Sequence, residues 1–261
     1  MISPSIYDKK YFFSTQCEGF EEYRSDQLSP IKKLEVEYLD LKKLEVFLDV
    51  GCGRGDVLAF LFKKGYKKIL GIDYSAEAVK ICKSRIPKSY KKNIVVGNAR
   101  KMPYKNSSVD KILIGDVIEH MTYAEAVEMI DEAHRILKTG GKLVIHTAPN
   151  RFFSQYLYKI VRLIFTIMGF GKESNGLIQN IKVIRKYHID EYSIYDLRHY
   201  MSLTRFKNYR VFIHPDSLRT SSSNYLNSIK KNIFVQSVSR IINNSFLLNW
   251  FGNDLFVVAS K

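Results

Sequence analysis

Three glycines spaced two residues apart form the segment of the sequence that best suits ligand binding. They are Gly51, Gly53 and Gly55. They follow the apolar run Val46–Val50, which predicts a buried strand, and a helical pattern comes after them. Glycine allows positive φ and leaves room for a ligand to lie against the backbone. The helix amino terminus adds unpaired N–H groups and a partial positive charge. The sequence therefore predicts a ligand-binding loop here.

The residues around this loop favour a ligand with a cationic group over a dinucleotide. A dinucleotide site has the spacing GxGxxG and binds a pyrophosphate. Here the third glycine, Gly55, comes one position early, and Asp49 stands just before the loop. A carboxylate in that place suits an ammonium group better than a pyrophosphate. A nicotinamide-dependent oxidoreductase is therefore a remote alternative.

Three more segments follow the loop in order and together form a recognisable pattern. They are Gly71-Ile72-Asp73-Tyr74-Ser75, Gly97-Asn98-Ala99-Arg100-Lys101-Met102-Pro103-Tyr104 and Gly115-Asp116-Val117-Ile118-Glu119-His120, and the glycine turn Leu137–Ile145 comes after them. With Leu48–Asp56, they make the sequence resemble the class I S-adenosylmethionine-dependent methyltransferases. The joint order and spacing of the segments carry this resemblance, since each alone could be an ordinary turn.

The resemblance implies that S-adenosylmethionine is the cofactor. It implies that Asp73 binds both ribose hydroxyls and that the turn at Asn98 binds the adenine. The family usually has Asp at this last position, but the carbonyl of Asn98 can still accept a hydrogen bond from an exocyclic amine. The predicted cofactor-binding residues are Tyr11, Asp49, Gly51, Cys52, Gly53, Asp73, Tyr74, Asn98, Ala99, Arg100, Asp116 and Val117.

Alternating strand and helix patterns must position these residues. They imply a parallel sheet with helices on both faces. We predict an α/β fold with a Rossmann-like, doubly wound, mostly parallel seven-stranded sheet and a helical insertion after the fifth strand. We predict a helical cap at 1–45, with a helix at Pro30–Leu44, and a methyltransferase domain at 46–261. The domain begins with a cofactor-binding core at 46–150, whose fifth strand is Lys142–Thr147. An insertion that shapes the acceptor site follows at 151–205, and closing strands with a helix near Ile229–Ile242 follow at 206–261.

Two histidines are the candidates for catalysis. Methyl transfer to a hydroxyl needs a base that takes the proton. His120 follows the fourth strand, where such folds open their ligand crevice. His188 lies in a segment that resembles the His-x-x-Glu-Tyr region of sugar and quinone methyltransferases. A structural role, beside the cofactor for His120 or in a loop for His188, is the alternative for each.

A metal site is a further alternative, and our prediction is that the protein needs none. Asp116, Glu119 and His120, with His188 downstream, resemble the Glu-x-x-Glu-His…His site of small-RNA terminal 2′-O-methyltransferases and a cation site of quinone O-methyltransferases. Oxygen-rich ligands would suit Mg²⁺. Asp116 stands in place of the longer Glu, so that ligand would not reach as far.

The insertion contains an amphipathic helix pattern at 155–168. Its polar stripe is Gln155, Lys159, Arg162 and Thr166, and the remaining positions are mostly apolar. Such a helix can lie in a membrane interface with its basic groups at anionic headgroups, and it is too short to span the bilayer. Burial against the carboxyl-terminal region or in a dimer interface is the alternative.

The net charge of +15 favours anionic partners or a solvated lysine surface. Only Tyr66 and Tyr90 stand among the clustered lysines, so a path for nucleic acid, which needs interleaved aromatics, is less expected. Three cysteines without a CxxC pair fit a reducing compartment. With no apolar signal segment at the start, we expect a cytoplasmic protein that can associate with membranes.

These observations predict an S-adenosylmethionine-dependent methyltransferase that O-methylates a small-molecule, sugar or lipid-linked glycan acceptor by in-line transfer. Two alternatives are an RNA methyltransferase of the 2′-O type and a cofactor-binding scaffold without turnover. The sequence leaves the acceptor and the oligomeric state open.

Overall fold

A mixed sheet forms the centre of the protein, which is described here from a computed structural model. The structure describes residues 6–14, 17, 19–24, 27–215, 236–237, 240–241 and 243–261. In these residues the strands are β1 (Phe47–Val50), β2 (Ile69–Asp73), β3 (Ile94–Val96), β4 (Val109–Gly115), β5 (Leu137–Thr147), β6 (Asn208–Ile213) and β7 (Leu255–Ser260). Most of the predicted helical stretch near Ile229–Ile242 lies outside the described residues.

The strand order is β3-β2-β1-β4-β5-β7-β6. β1 pairs in parallel with β2 and β4, β2 with β3, and β4 with β5. β7 is antiparallel to both of its neighbours, β5 and β6. The predicted seven-stranded, mostly parallel sheet is therefore confirmed.

Helices cover both faces of this sheet. The helices are α1 (Lys9–Phe12), α2 (Phe20–Arg24), α3 (Pro30–Leu39), α4 (Asp56–Lys63), α5 (Ala76–Ser84), α6 (Tyr123–Ile136), α7 (Tyr158–Ile167), α8 (Gly171–Tyr187), α9 (Ile194–Leu203) and α10 (Leu248–Phe251). Shorter helical turns occur at Lys88–Asn93 and Ile118–His120, and a π-helical turn occurs at Phe153–Leu157.

Alternation along β1 shows how the two faces are built. Leu48 and Val50 join the core that contains apolar residues of α6 and α9. Phe47 joins the opposite core, with residues of α3, α4 and α5. Successive strand residues point to opposite faces, and each fully buried side chain of this size contributes roughly 1.5–3 kcal/mol. The strand is thus held from both sides.

Two element boundaries differ from the sequence prediction. α3 ends at Leu39 rather than near residue 44, because Asp40 adopts left-handed φ of 49° and caps the helix. β5 begins at Leu137 rather than at Lys142, because its first residue pairs with Val109 before a register irregularity. Local apolar patterns do not reveal either event.

The insertion after β5 is helical, as predicted. It contains the π-helical turn and α7, α8 and α9, and α7 packs against α8. Arg151, just after β5, donates to the Glu191 carbonyl at 2.7 Å and forms ion pairs with Asp190 and Asp196. The start of the insertion is therefore fixed to the segment before α9. In the described part of the chain, no helix has the length and apolarity needed to cross a bilayer.

We expect Gly55→Ala to destabilise the protein more than Gly140→Ala. Both glycines have positive φ, 75° and 76°. Left-handed backbone costs an L-residue about 1–2 kcal/mol. At residue 55 a Cβ would also overlap Sγ of the buried Cys82, whereas at residue 140 nothing lies within 4 Å. In urea denaturation, the free energy of unfolding of Gly55→Ala should be lower than that of Gly140→Ala by roughly 1–3 kcal/mol. Equal losses would contradict close packing of the loop on α5.

Candidate active site

The site lies at the carboxyl ends of β1 and β4, where the strand order changes direction. β1 leads to β2 on one side and β4 leads to β5 on the other, so the two loops diverge and leave a crevice. Gly51 and Asp116 both have positive φ there, 73° and 54°. A Cβ on Gly51 would overlap Cγ2 of Val117, so only glycine permits this approach of the two loops.

The glycine loop is tied to the end of β2 through Asp73. The Gly53 N–H donates to Asp73 Oδ2 at 2.8 Å, and the Ser75 N–H donates to Oδ1 at 2.8 Å. Burial raises the pKa of Asp73 although these backbone donors oppose the shift. A Cβ on Gly53 would lie 3.9 Å from the Phe12 ring and from the Gly51 carbonyl oxygen, so the loop is in ordinary contact with the amino-terminal segment at this residue. The arrangement fits a ribose beside an acid and a ligand lying on the loop.

Two other predicted residues of the loop have different surroundings. Asp49 is 5% exposed, and burial raises its pKa well above the usual range. Cys52 is also buried, and its side chain contacts Cys82. Its thiol therefore belongs to the core, and only its backbone could face a ligand.

The turn after β3 uses the predicted Asn98 to order its own backbone. Asn98 Oδ1 accepts from the Arg100 N–H at 2.9 Å. The Arg100 guanidinium contacts Glu125 and Glu128 of α6 at 3.4 and 3.2 Å. Ala99 between them is buried. The turn is preorganised, and the charged end of Arg100 is directed to the helix rather than to the crevice.

The amino-terminal segment, which we call the cap, contacts the glycine loop and the end of β2. The Ser75 hydroxyl donates to the Tyr7 carbonyl at 3.0 Å. Arg54 Nη1 donates to the Phe12 carbonyl at 2.8 Å. Tyr11, which is predicted to bind the cofactor, lies between Tyr7 and Phe12 in the sequence. Tyr74, the other tyrosine predicted to bind the cofactor, is 42% exposed. The cap therefore meets the loops after β1 and β2.

Aromatic rings from the cap and the insertion meet in front of the crevice. The Tyr11 ring centroid is 4.9 Å from that of Tyr187 and 5.2 Å from that of Tyr7. The Tyr7 centroid is 5.6 Å from the ring of His120, and His120 is 5.1 Å from His188. We call these five residues the aromatic group. It joins both predicted catalytic histidines to the cap.

Hydrogen bonding differs between the two histidines, because among the described residues the buried Nδ1 of His188 has no hydrogen-bond partner. His120 Nδ1 lies 2.7 Å from the Tyr187 carbonyl, so in the neutral ring Nδ1 carries the proton and Nε2 has a free lone pair. Burial lowers the pKa of His120. Burial also lowers the pKa of His188, to about 3, and the charge of His120 adds to this shift. His120 is therefore the better placed base.

Glu119 stands beside these histidines and completes a set of metal-binding atoms. Its Oε2 accepts from Thr147 Oγ1 at 2.8 Å, and its Oε1 lies 3.8 Å from His120 Nε2. Burial and the charge of Asp116 raise the pKa of Glu119 to about 8. Ligand atoms of Glu119, His120 and His188 lie within 4.8 Å of one another, so they could hold a divalent cation.

Asp116 belongs to a different group, which the sequence did not indicate. His146 Nδ1 lies 2.9 Å from Asp116 Oδ1 and 3.2 Å from Glu35 Oε1, and its Nε2 lies 3.4 Å from Asp254 Oδ1. Burial alone would lower the pKa of His146, but Asp116 and the other carboxylates raise it well above the usual range. We call these four residues the imidazolium cluster.

Comparison with known proteins gives matches over the core and over the whole chain. Residues 48–145 match the family described as a methyltransferase domain. Over 255 residues, the chain is 26% identical to an uncharacterized protein of Methanocaldococcus jannaschii, covering 97% of this chain and 90% of that one. Over 179 residues, it is 28% identical to the demethylmenaquinone methyltransferase of Oceanobacillus iheyensis, covering 64% and 70%.

A solved structure shares the fold at low sequence identity. It is the crystal structure of geranyl diphosphate C-methyltransferase from Streptomyces coelicolor A3(2), in complex with Mg²⁺, geranyl diphosphate and S-adenosyl-L-homocysteine. The TM-score is 0.59, with 15% identity over 98% of this chain and 88% of that one.

We expect Asp73→Asn to weaken binding of S-adenosylhomocysteine. The amide would lose the charge at the predicted ribose position and one acceptor for the loop N–H groups. The loss should be about 10- to 100-fold in Kd, as for a buried hydrogen bond to a charged group. Calorimetry measures it, with Asp40→Asn, at an exposed helix end, as the matched control. Unchanged affinity, or clear heat with a nicotinamide dinucleotide instead, would contradict the predicted site.

Proposed function

We propose that this chain, a class I S-adenosylmethionine-dependent methyltransferase, methylates a hydroxyl group of a small amphiphilic acceptor at an anionic membrane surface. The aromatic group in front of the crevice is the observation that carries this proposal. Apart from His120, which follows β4, its rings come from the cap and the insertion, the two parts predicted to shape the acceptor site. They would bind an apolar or ring-shaped acceptor by stacking and burial of area.

The site's residues fit the cofactor in chemistry. The glycine loop offers backbone without side chains, and Asp73 offers carboxylate oxygens beside it. When bound, S-adenosylmethionine supplies the methyl group in an activated sulfonium form, so the protein's task is binding, orientation and exclusion of water. In our proposal Asp49 and Asp116 bind the amino-acid end and Asp73 binds the ribose. The turn at Asn98 contacts the adenine.

His120 supplies the base in this proposal. Its Nε2 can take the proton of an acceptor hydroxyl, while Nδ1 keeps its proton and its bond to the Tyr187 carbonyl. Because burial lowers its pKa, the ring is neutral and ready to accept at neutral pH. His188 packs edge-on against His120 and serves to orient that ring.

One relative supports an apolar acceptor, since it is named for demethylmenaquinone. A neighbour that shares only the fold is named for geranyl diphosphate. Sugar or lipid-linked glycan acceptors remain within the proposal as far as they carry a hydroxyl and an apolar part.

Helix α7 supports the membrane part of the proposal. Tyr156, Ile160, Leu163 and Ile167 follow helical spacing, and their side chains are 65, 56, 60 and 76% exposed. Lys159 and Arg162 lie exposed on the adjoining stripe. In the described residues nothing covers this apolar stripe. A stripe of this kind beside basic groups suits an anionic bilayer surface.

The Glu119, His120 and His188 set supports a second candidate, an RNA methyltransferase of the 2′-O type with a divalent cation. In that case His120 would be a ligand rather than a base. The net charge of +15 is compatible with it.

We expect methyl label from S-adenosylmethionine to appear in the organic phase when the protein is incubated with fractionated cell extracts. His120→Ala should lower the rate by about 100-fold or more, as expected for loss of a general base, and leave cofactor affinity unchanged. His199→Ala on the exposed side of α9 is the control.

Three outcomes contradict this prediction in different ways. Label in the RNA fraction favours the second candidate, and so does activity that chelation removes and Mg²⁺ or Mn²⁺ restores. No label in any fraction favours a scaffold without turnover. An unchanged rate for His120→Ala removes it from catalysis.

We expect the protein to float with vesicles that contain anionic lipid at low salt, and Leu163→Asp to abolish this. Placing a carboxylate in the apolar stripe costs burial and repels the anionic headgroups. Leu44→Asp is the matched control, since Leu44 is 81% exposed on another part of the surface. Flotation with neutral vesicles only, or equal loss in both variants, would argue against α7 as the membrane-binding element.

A further inference from the structure

Glu35 occupies an unusual position for a carboxylate. In α3 the buried residues are Ile31, Glu35 and Leu39, spaced one turn apart. The middle position of such a stripe normally packs an apolar side chain against the sheet. Glu35 is 1% exposed, and burial raises the pKa of its carboxyl group. Burying an acid is strongly unfavourable unless it is paired, so its partner identifies its role.

That partner is His146, which stands between two carboxylates. Its Nδ1 is 3.2 Å from Glu35 Oε1 and 2.9 Å from Asp116 Oδ1. Neither contact has the angles of a hydrogen bond, and among the described residues Glu35 Oε1 has no hydrogen-bond donor. The same oxygen packs against Gly115, where a Cβ would lie only 2.9 Å away. Nδ1 is therefore shared between Glu35 and Asp116 and not bound to either.

Exposure distinguishes the members of this cluster. The side chains of Glu35 and His146 are each 2% exposed, whereas that of Asp116 is 28% exposed. Asp116 also lies in the loop that contacts the glycine loop through Val117. A ligand in the crevice can reach Asp116 directly but can meet Glu35 only through the other two residues.

We propose that Glu35 and His146 are positioning residues that keep the Asp116 carboxylate charged and directed at the ammonium group of the cofactor. Glu35 shares the imidazolium of His146, so that this cation does not neutralise Asp116. Without the charge of Glu35, Nδ1 would bond fully to Asp116, and less of the Asp116 charge would remain for the ligand. The inference rests on the proposed role of Asp116 in cofactor binding.

The test compares two ligands that differ in the amino-acid end. S-adenosylhomocysteine has this end, and 5′-methylthioadenosine lacks it. For Glu35→Gln, we expect S-adenosylhomocysteine to bind about 10-fold more weakly by calorimetry, as for a hydrogen bond to a charged group. The affinity for 5′-methylthioadenosine should change by less than about twofold, within the usual additivity error. Glu37→Gln, exposed on the same helix, is the matched control and should leave both affinities unchanged.

A double-mutant cycle with Asp116→Asn tests whether Glu35 acts through Asp116. In that background, Glu35→Gln should have less than about a twofold further effect on S-adenosylhomocysteine, because the carboxylate that it positions is gone. His146→Gln should reproduce the selective loss of the longer ligand.

Several results would overturn this inference. They are an equal loss for both ligands, a full additional loss in the Asp116→Asn background, and no loss at all. If S-adenosylhomocysteine binding by the wild-type protein needs Mn²⁺ and disappears on chelation, the imidazolium cluster is a metal site instead. Absence of binding by the wild-type protein would refute the cofactor site itself, and absence of acceptor methylation would leave these binding results unaffected.

Discussion

The parallel pairing of β1 with both β2 and β4 is the constraint on which the site depends. Leu48 lies opposite Leu70 on one side and Ile112 on the other, so the three strands end at one edge of the sheet. The loops that follow them must meet there, and they carry Gly51, Asp73 and Asp116. The strand register brings these residues together without any direct interaction between them. Their side-chain chemistry then decides what the edge can bind.

The chemistry of that edge is dominated by buried acids. Burial raises the pKa of Asp49 and of Glu35, which shows how unfavourable further negative charge is in this region. For Asp116, burial acts in the same direction, but the facing His146 and Lys32 lower its pKa. A sheet edge of this kind suits a cationic ligand, since a group with positive charge relieves repulsion among the carboxylates. The same charges disfavour the pyrophosphate of a dinucleotide.

The sequence predicted those parts of the molecule that local patterns determine. The glycine loop, the alternation of strands and helices in the core and the acid at the end of β2 follow from residues close together in the chain. Glu35 and His146 were missed because their pairing joins α3 to β5, which are more than 100 positions apart. His146 lies in a run that reads as an ordinary buried strand, and Glu35 looks like a solvated residue of a helix. Its place midway between Ile31 and Leu39 was the one available signal. Glu119 was considered only as part of a metal motif. The roles assigned to the cofactor-binding residues remain predictions, although the structure brings their loops together.

The burial of Arg54 has a practical consequence for work with this protein. Its guanidinium is fully enclosed, and one of its donors is satisfied by the carbonyl of Phe12 rather than by water. A shortened version that starts after Phe12 would remove this acceptor and admit solvent beside a cation that sits next to Asp56. The ends of an expression fragment should therefore keep the first helix.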